Sequence, residues 1–339
     1  MPRASEAWAI RLYQAVPLDP SWLGILFAAL LVTLFFGSEL AMGRISLLAA
    51  APDPLAELRN VRLTVIHCLL TAYVPTAYAL LILRSRRTFA ELRPVLEASP
   101  SLDAAAANIG RYPWWTLAIA GAIGSAISIQ VTLDTTDGNP WAWSALGPEV
   151  VWHRVLGLIF TWWIGCFLFA TVVESLRLSS LADRLARIDL LDLRPLAPFT
   201  RQGLTNALLA IGLASFISLF TIEPGYSWIV ALTWLSTAWI AWAALLLPLR
   251  GLRRRIRKAK QAELDWCRAA LERERDALKA GTPGARLDQV IAYRDLVQQV
   301  REWPFDNPSL LRFALYLLIP LGSWAGGALV ERLIDSLLR

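Results

Sequence analysis

The chain has 339 residues, 56% of them hydrophobic and 18% charged, with a formal net charge of +6. A soluble domain carries about a quarter charged residues, and the mean hydropathy of +0.47 with 16 tryptophans excludes that class. The apolar residues gather into runs of membrane-crossing length, so the composition predicts an all-α integral membrane protein with seven transmembrane helices.

The first expected span is Trp22–Gly37, a retained helix rather than a cleaved leader, because its apolar run starts late and no small-residue site follows closely. The second is Leu63–Leu83. Asn60, Thr64, His67 and Thr71 form a polar stripe down its start at helical spacing, below Arg59 and Arg62. The third, Trp114–Leu133, ends in Gln130 and Asp134, and the fourth, Val150–Val173, begins with His153 and Arg154. Beyond it Leu178, Leu181, Leu185 and Ile188 recur at helical spacing, predicting a helix that continues until Leu193-Arg194-Pro195 stops it. Leu204–Ile222 and Trp228–Leu249 follow, joined by a short loop holding Glu223 and Tyr226.

A basic run, Arg250–Lys260, opens an amphipathic helix striped by Leu264, Cys267, Leu271 and Leu278. Gly281-Thr282-Pro283-Gly284 breaks it, and a second amphipathic helix carries Val290, Val297, Val300 and Trp303. These stripes call for burial, against each other or against the same helices of other subunits. Pro304 ends that segment, and Asn307-Pro308 supplies an N-cap and first residue for the last span, Leu310–Ile334. The chain thus divides into a six-helix membrane region, 1–249, with loops 84–112 and 174–202, a helical anchor module, 250–308, and a seventh span, 309–339.

Loops on the cytoplasmic side collect Lys and Arg. Of the 33 basic residues, 27 fall in 1–21, 84–112, 174–202 and 250–312, while 5 fall in the alternate segments. The N-terminus is therefore expected inside and the C-terminus outside. Arginine outnumbers lysine 30 to 3, a bacterial coding bias that points to the inner membrane of a bacterium. The basic run is expected to meet anionic headgroups and not nucleic acid, since no aromatics interleave it.

Two histidines cannot supply a catalytic zinc set. The three cysteines suggest no disulfide framework, and no phosphate loop or nucleophile constellation is present. Neither an enzyme nor a cofactor is expected. Two intramembrane sites are candidates. Arg62, Thr64, His67, Thr71, Gln130, His153, Arg154, Glu223 and Tyr226 either converge on an outer-half ligand pocket or reach separately for headgroups and water. In the last span, Tyr316, Pro320, Ser323, Gly327 and Glu331 share one face, a pore lining with an acidic mouth or a packing surface next to the Gly322/Gly326 pair.

In layout the chain resembles the insect olfactory and gustatory receptor channels: seven spans, N-terminus inside, a fourth span extended into the cytosol, and a last helix split into cytosolic and membrane parts. Its seventh helix, RFALYLLIPLGSWAGG, lacks that family's Thr-Tyr and Gln-Phe pairs. The resemblance implies a tetramer held by Leu252–Trp303, with Leu264, Leu271, Val297, Val300 and Trp303 as anchor residues. It also implies a cation pore lined by the seventh helix, and ligand entry from the outer half. The expected function is a homo-oligomeric ion channel, ligand-gated and cation-preferring, with lipid, ions or a small ligand and its own copies as partners. A membrane-anchored scaffold acting through its basic helices, and a small-molecule transporter, are the alternatives.

Overall fold

A computed structural model describes residues 5–6, 8–41, 54–135, 148–221, 227–280, 287–303 and 307–319, together with positions 322, 326 and 329. Their elements are helices α1 (Trp8–Ala15), α2 (Pro20–Ala41), α3 (Pro54–Leu92), α4 (Pro100–Ala107), α5 (Trp114–Thr135), α6 (Pro148–Leu181), α7 (Ala197–Ser218), α8 (Ser227–Leu246), α9 (Arg250–Lys279), α10 (Leu287–Gln299) and α11 (Asn307–Leu317). A two-residue antiparallel ladder joins β1 (Ser5–Glu6) to β2 (Arg111–Tyr112). The described chain is otherwise predominantly helical. Three of its helices are long and apolar enough to cross a membrane: Pro20–Ala41, Val61–Val95 and Trp152–Arg184, with Trp114–Ala126 a shorter apolar one. The other expected spans fall on α7, α8 and α11.

Local chemistry sets several helix starts. Asp19 caps α2, its Oδ1 accepting from the Ser21 N–H at 2.9 Å, with Pro20 as the first helical residue. Ser99 caps α4 in the same way, before Pro100.

The bundle is built around α3. Thr64, Ile66, Leu70, Val74, Ala77, Tyr78, Leu81 and Ile82 are all at most 2% exposed and point in several directions. A helix apolar around its whole circumference belongs in the middle of a bundle. Here α2, α6 and α7 surround it, and α2 is peripheral, showing Trp22, Ile25, Leu30 and Leu34 outward.

Beside it α5 and α6 meet along a seam of small residues. A Cβ on Gly124 would collide with the Thr161 backbone, and one on Gly165 with the Ala120 backbone. Ala120/Gly124 and Thr161/Gly165 are each four apart, so two small-xxx-small pairs face each other and the backbones approach closely. Gly121 likewise gives way to the Trp162 ring.

A second core closes the α9–α10 end. Phe89 and Leu92 of α3, Leu96, Leu102 of α4, Leu178 and Leu181 of α6, Leu185, Phe199, Leu252, Ile256 and Val297 form one buried cluster. The two inter-helix segments expected to be loops are therefore folded into a common core. One expectation is corrected here. The helix after the fourth span does not run to Pro195: α6 stops at Leu181, a short 3₁₀ turn follows, and Leu185 is extended. There Leu185 bridges to Leu96 and is fully buried. The helical spacing of Leu178, Leu181 and Leu185 is satisfied by one core without one helix.

The amphipathic helices also bury most of their stripes inside the chain, Leu278 being the exposed exception. α9 and α10 pack as a hairpin, and Leu264, Val300 and Trp303 lie against the second core. Leu271 is half-buried. The Gly251 N–H donates to Ser179 Oγ at 2.8 Å, fixing the start of α9 on α6. Lys260 Nζ donates to the Gln298 and Val300 carbonyls, closing the end of α10. The second amphipathic helix ends at Gln299 rather than at Trp303, and Trp303 instead stacks under the Arg253 guanidinium at 4.4 Å.

Candidate functional sites: a histidine stack, a buried carboxylate and a free helix face

The two histidines of the chain come together. His67 on α3 and His153 on α6 stack with ring centroids 4.8 Å apart and planes 22° from parallel. His67 Nδ1 lies 2.7 Å from the Leu63 carbonyl, one turn back, so that nitrogen carries the proton and donates. His153 Nε2 is 2.7 Å from Thr64 Oγ1. Phe160 and Phe220 meet the His67 ring edge-on, at 5.6 and 5.2 Å. The polar stripe on the second helix is thus turned toward α6, where an aromatic collar surrounds its histidine.

Of the expected pocket residues, Thr64, His67 and His153 form this cluster, with Arg62 and Arg154 half-buried at the same end of their helices. Thr71 does not join it; its Oγ1 is buried without a hydrogen-bond partner. The Gln130 side chain, Glu223 and Tyr226 lie outside the described residues. Phe160 and Phe220 were not singled out by sequence reasoning, since an apolar residue in an apolar run carries no distinguishing pattern. No group of three or more His, Cys, Asp or Glu side chains that would hold a metal occurs among the described residues, and Cys68, Cys166 and Cys267 are free and buried.

Toward the other end sits a buried carboxylate. Glu174 is 4% exposed, and its Oε1 accepts from the Tyr112 hydroxyl at 2.6 Å, the Arg177 guanidinium at 2.7 Å and the Gly110 N–H at 3.1 Å. Gly110 adopts φ of 75°, the left-handed region that glycine enters at no steric cost, and this aims its N–H inward. Burial, then the Glu174 charge, raises the Tyr112 phenol well above its ordinary value. A neutral network continues from there. Gln202 Nε2 donates to Ser85 Oγ and Asn206 Oδ1, Thr88 donates to Gln202 Oε1, and Asn206 Nδ2 donates to Ser175 Oγ. Ser85 and Thr88 belong to α3, Ser175 to α6, Gln202 and Asn206 to α7, so the three helices are pinned by satisfied polar groups.

The third feature is α11. Among the described residues it is held by one side only: Phe313 inserts between Leu204, Ala207 and Ile211 of α7 and Ala241 and Leu245 of α8, and Tyr316 packs beside it. The opposite side carries Leu311, Leu315, Leu318 and Leu329, all at least half exposed. A Cβ added at Gly322 or Gly326 would meet nothing within 4 Å. These six positions are spaced by three or four and make a single uncovered stripe. Tyr316, expected in a pore lining or a packing surface, packs against its own bundle; Pro320, Ser323, Gly327 and Glu331 lie outside the described residues. On the hairpin, Trp266, Leu278 and Leu296 are more than half exposed on an otherwise charged surface.

Compared with protein-family models, curated proteins and solved structures, the chain finds no match.

Proposed function

We propose that the protein is a homo-oligomeric ion channel of a bacterial inner membrane. Its seven spans are α2, α3, α5, α6, α7, α8 and α11, with the N-terminus inside, the C-terminus outside and α9–α10 as the cytosolic anchor. The observation that carries this reading is the uncovered stripe of α11, together with Trp266, Leu278 and Leu296 exposed on the hairpin. Leucines on a membrane helix are at home in lipid, but tryptophan and leucine on a charged, water-facing hairpin call for a protein partner. A second copy satisfies both surfaces at once, and cyclic symmetry then places α11 near the axis. The segments 1–21, 84–112, 174–202 and 250–312, which hold 27 of the 33 Lys and Arg, support the orientation.

By helical spacing Pro320, Ser323, Gly327 and Glu331 share the Tyr316 direction, so the proposed lining moves from that face to the free stripe. Leu315 and Leu318 would form an apolar constriction that closes by dewetting. Particle symmetry in detergent images and conductance of the purified protein in planar bilayers test this. A cyclic oligomer is expected, with Leu318→Ser raising resting conductance. A non-conducting monomer sinks the reading. An oligomer that never conducts but loses a binding partner when residues 252–303 are removed supports the scaffold alternative, to which the exposed Trp266 also lends itself.

A further inference from the structure

Where α1 and α2 lie across α3, α5 and α6, the helices enclose a cavity of about 870 Å³, walled by Leu12, Phe27, Thr71, Pro75, Leu158 and Trp162 among others. That volume lies within the range of small-molecule pockets, roughly 300–1,000 Å³. None of the described residues lining it is charged. An ionic occupant is excluded by the cost of its desolvation. Phe27, Leu158, Ile159 and Trp162 are each 36–40% exposed, so the cavity opens sideways, onto the surface that faces hydrocarbon.

One spot on this apolar wall is polar and unused. The buried hydroxyls of Thr76, Thr161, Thr171 and Ser215 each donate to the carbonyl four residues back. Thr71 Oγ1 does not, and it is buried without a partner. Four residues on stands Pro75, inside the helix, which has no N–H to give to the Thr71 carbonyl. Thr71 therefore offers both a hydroxyl and a backbone acceptor lacking its helical donor, an arrangement that costs free energy in a dry interior unless something supplies a hydrogen bond. The neighbouring hydroxyls cannot. Thr76 gives its proton to the Ala72 carbonyl, so Tyr13 donates to Thr76 at 2.6 Å. Ser125 Oγ lies 3.4 Å from the Leu158 carbonyl.

We infer that this cavity is a binding site for an uncharged lipophile with one hydroxyl, entering from the bilayer. Its chain lies against Phe27, Leu158 and Trp162, and its O–H donates at Thr71. The site is independent of the histidine stack and of the α11 stripe, and it stands whether or not the protein conducts.

Photoaffinity labelling of the full chain in lipid nanodiscs tests it. One probe is a long-chain primary alcohol with a mid-chain diazirine, and the other a diacylglycerol with the diazirine in one acyl chain. Modified residues are located by peptide mass spectrometry. The expected result is saturable labelling at Leu158, Trp162 or Thr71, competed by excess of the unlabelled compound. Whichever probe saturates identifies the source as a free alcohol or a bilayer lipid. Thr71→Val, which keeps shape and removes the hydroxyl, should weaken the alcohol about fivefold and leave the matching diazirine alkane unchanged. Leu158→Trp, on a partly exposed wall, should fill the cavity and abolish labelling while elution volume and helicity stay as in the parent. Labelling that neither saturates nor exceeds that at the outward-facing Leu30 and Trp239 overturns the inference, as does an unchanged labelling profile in a folded Leu158→Trp.

Discussion

Glu174 and Arg93 are both acidic–basic partners near one end of the bundle, yet they bear on stability very differently. Arg93 pairs with Asp103 at 2.9 Å with both side chains about two-thirds exposed, and such pairs contribute at most about 1 kcal/mol. Glu174 is buried and holds three donors from two separate segments. Glu174→Ala strands the Tyr112 hydroxyl and the Gly110 N–H and removes the Arg177 partner, a loss of about 3–5 kcal/mol. Thermal melts followed by size exclusion in detergent should show Glu174→Ala well below the parent and Arg93→Ala close to it. The histidines were legible in the sequence because polar residues in apolar runs stand out. Glu174 and Gln202 were not, because each sits in a stretch whose charge content reads as a loop, and Asn206, near the start of an apolar span, was not singled out. What makes them a site is their meeting across three helices, 31 to 117 residues apart in the chain.

At the scale of elements, the two small-residue patterns have opposite roles. Gly322 and Gly326 form a recognisable GxxxG pair, and a Cβ added at either would meet nothing within 4 Å among the described residues. Ala120/Gly124 and Thr161/Gly165 are easier to overlook, and they hold α5 against α6. Gly124→Leu must drive the helices apart and should leave little monodisperse protein after extraction. Gly322→Leu and Gly326→Leu should leave the monomer's melting point unchanged and, on the oligomeric reading, lower the fraction of assembled particles by light scattering. Helix ends show a similar contrast. The start of α2 and the start of α11 follow from Asp19-Pro20 and Asn307-Pro308, whose capping chemistry is local. The end of α6 does not follow from sequence, because Leu185 prefers a core contact with the Leu96 segment to another helical turn.

For the whole molecule, orientation is the property most open to direct test. With the native cysteines replaced, a membrane-impermeant maleimide should label Asp137→Cys in intact cells and Arg275→Cys only after permeabilisation. The reverse pattern would invert the arginine argument, and the anchor with it. Length and hydropathy by themselves determined that this chain is helical and suited to a membrane, since each span must satisfy its own backbone hydrogen bonds in hydrocarbon. The same sequence marked the split between a charged hairpin and an apolar last helix, because Trp303-Pro304 and Asn307-Pro308 act on their immediate neighbours. Only the tertiary structure decided that α3 lies at the centre, that the two histidines stack, and that α11 shows its leucine and glycine side rather than its tyrosine side. Those outcomes depend on which helix faces are adjacent. In a span apolar on every side, the order of residues along the chain does not say which face meets which neighbour.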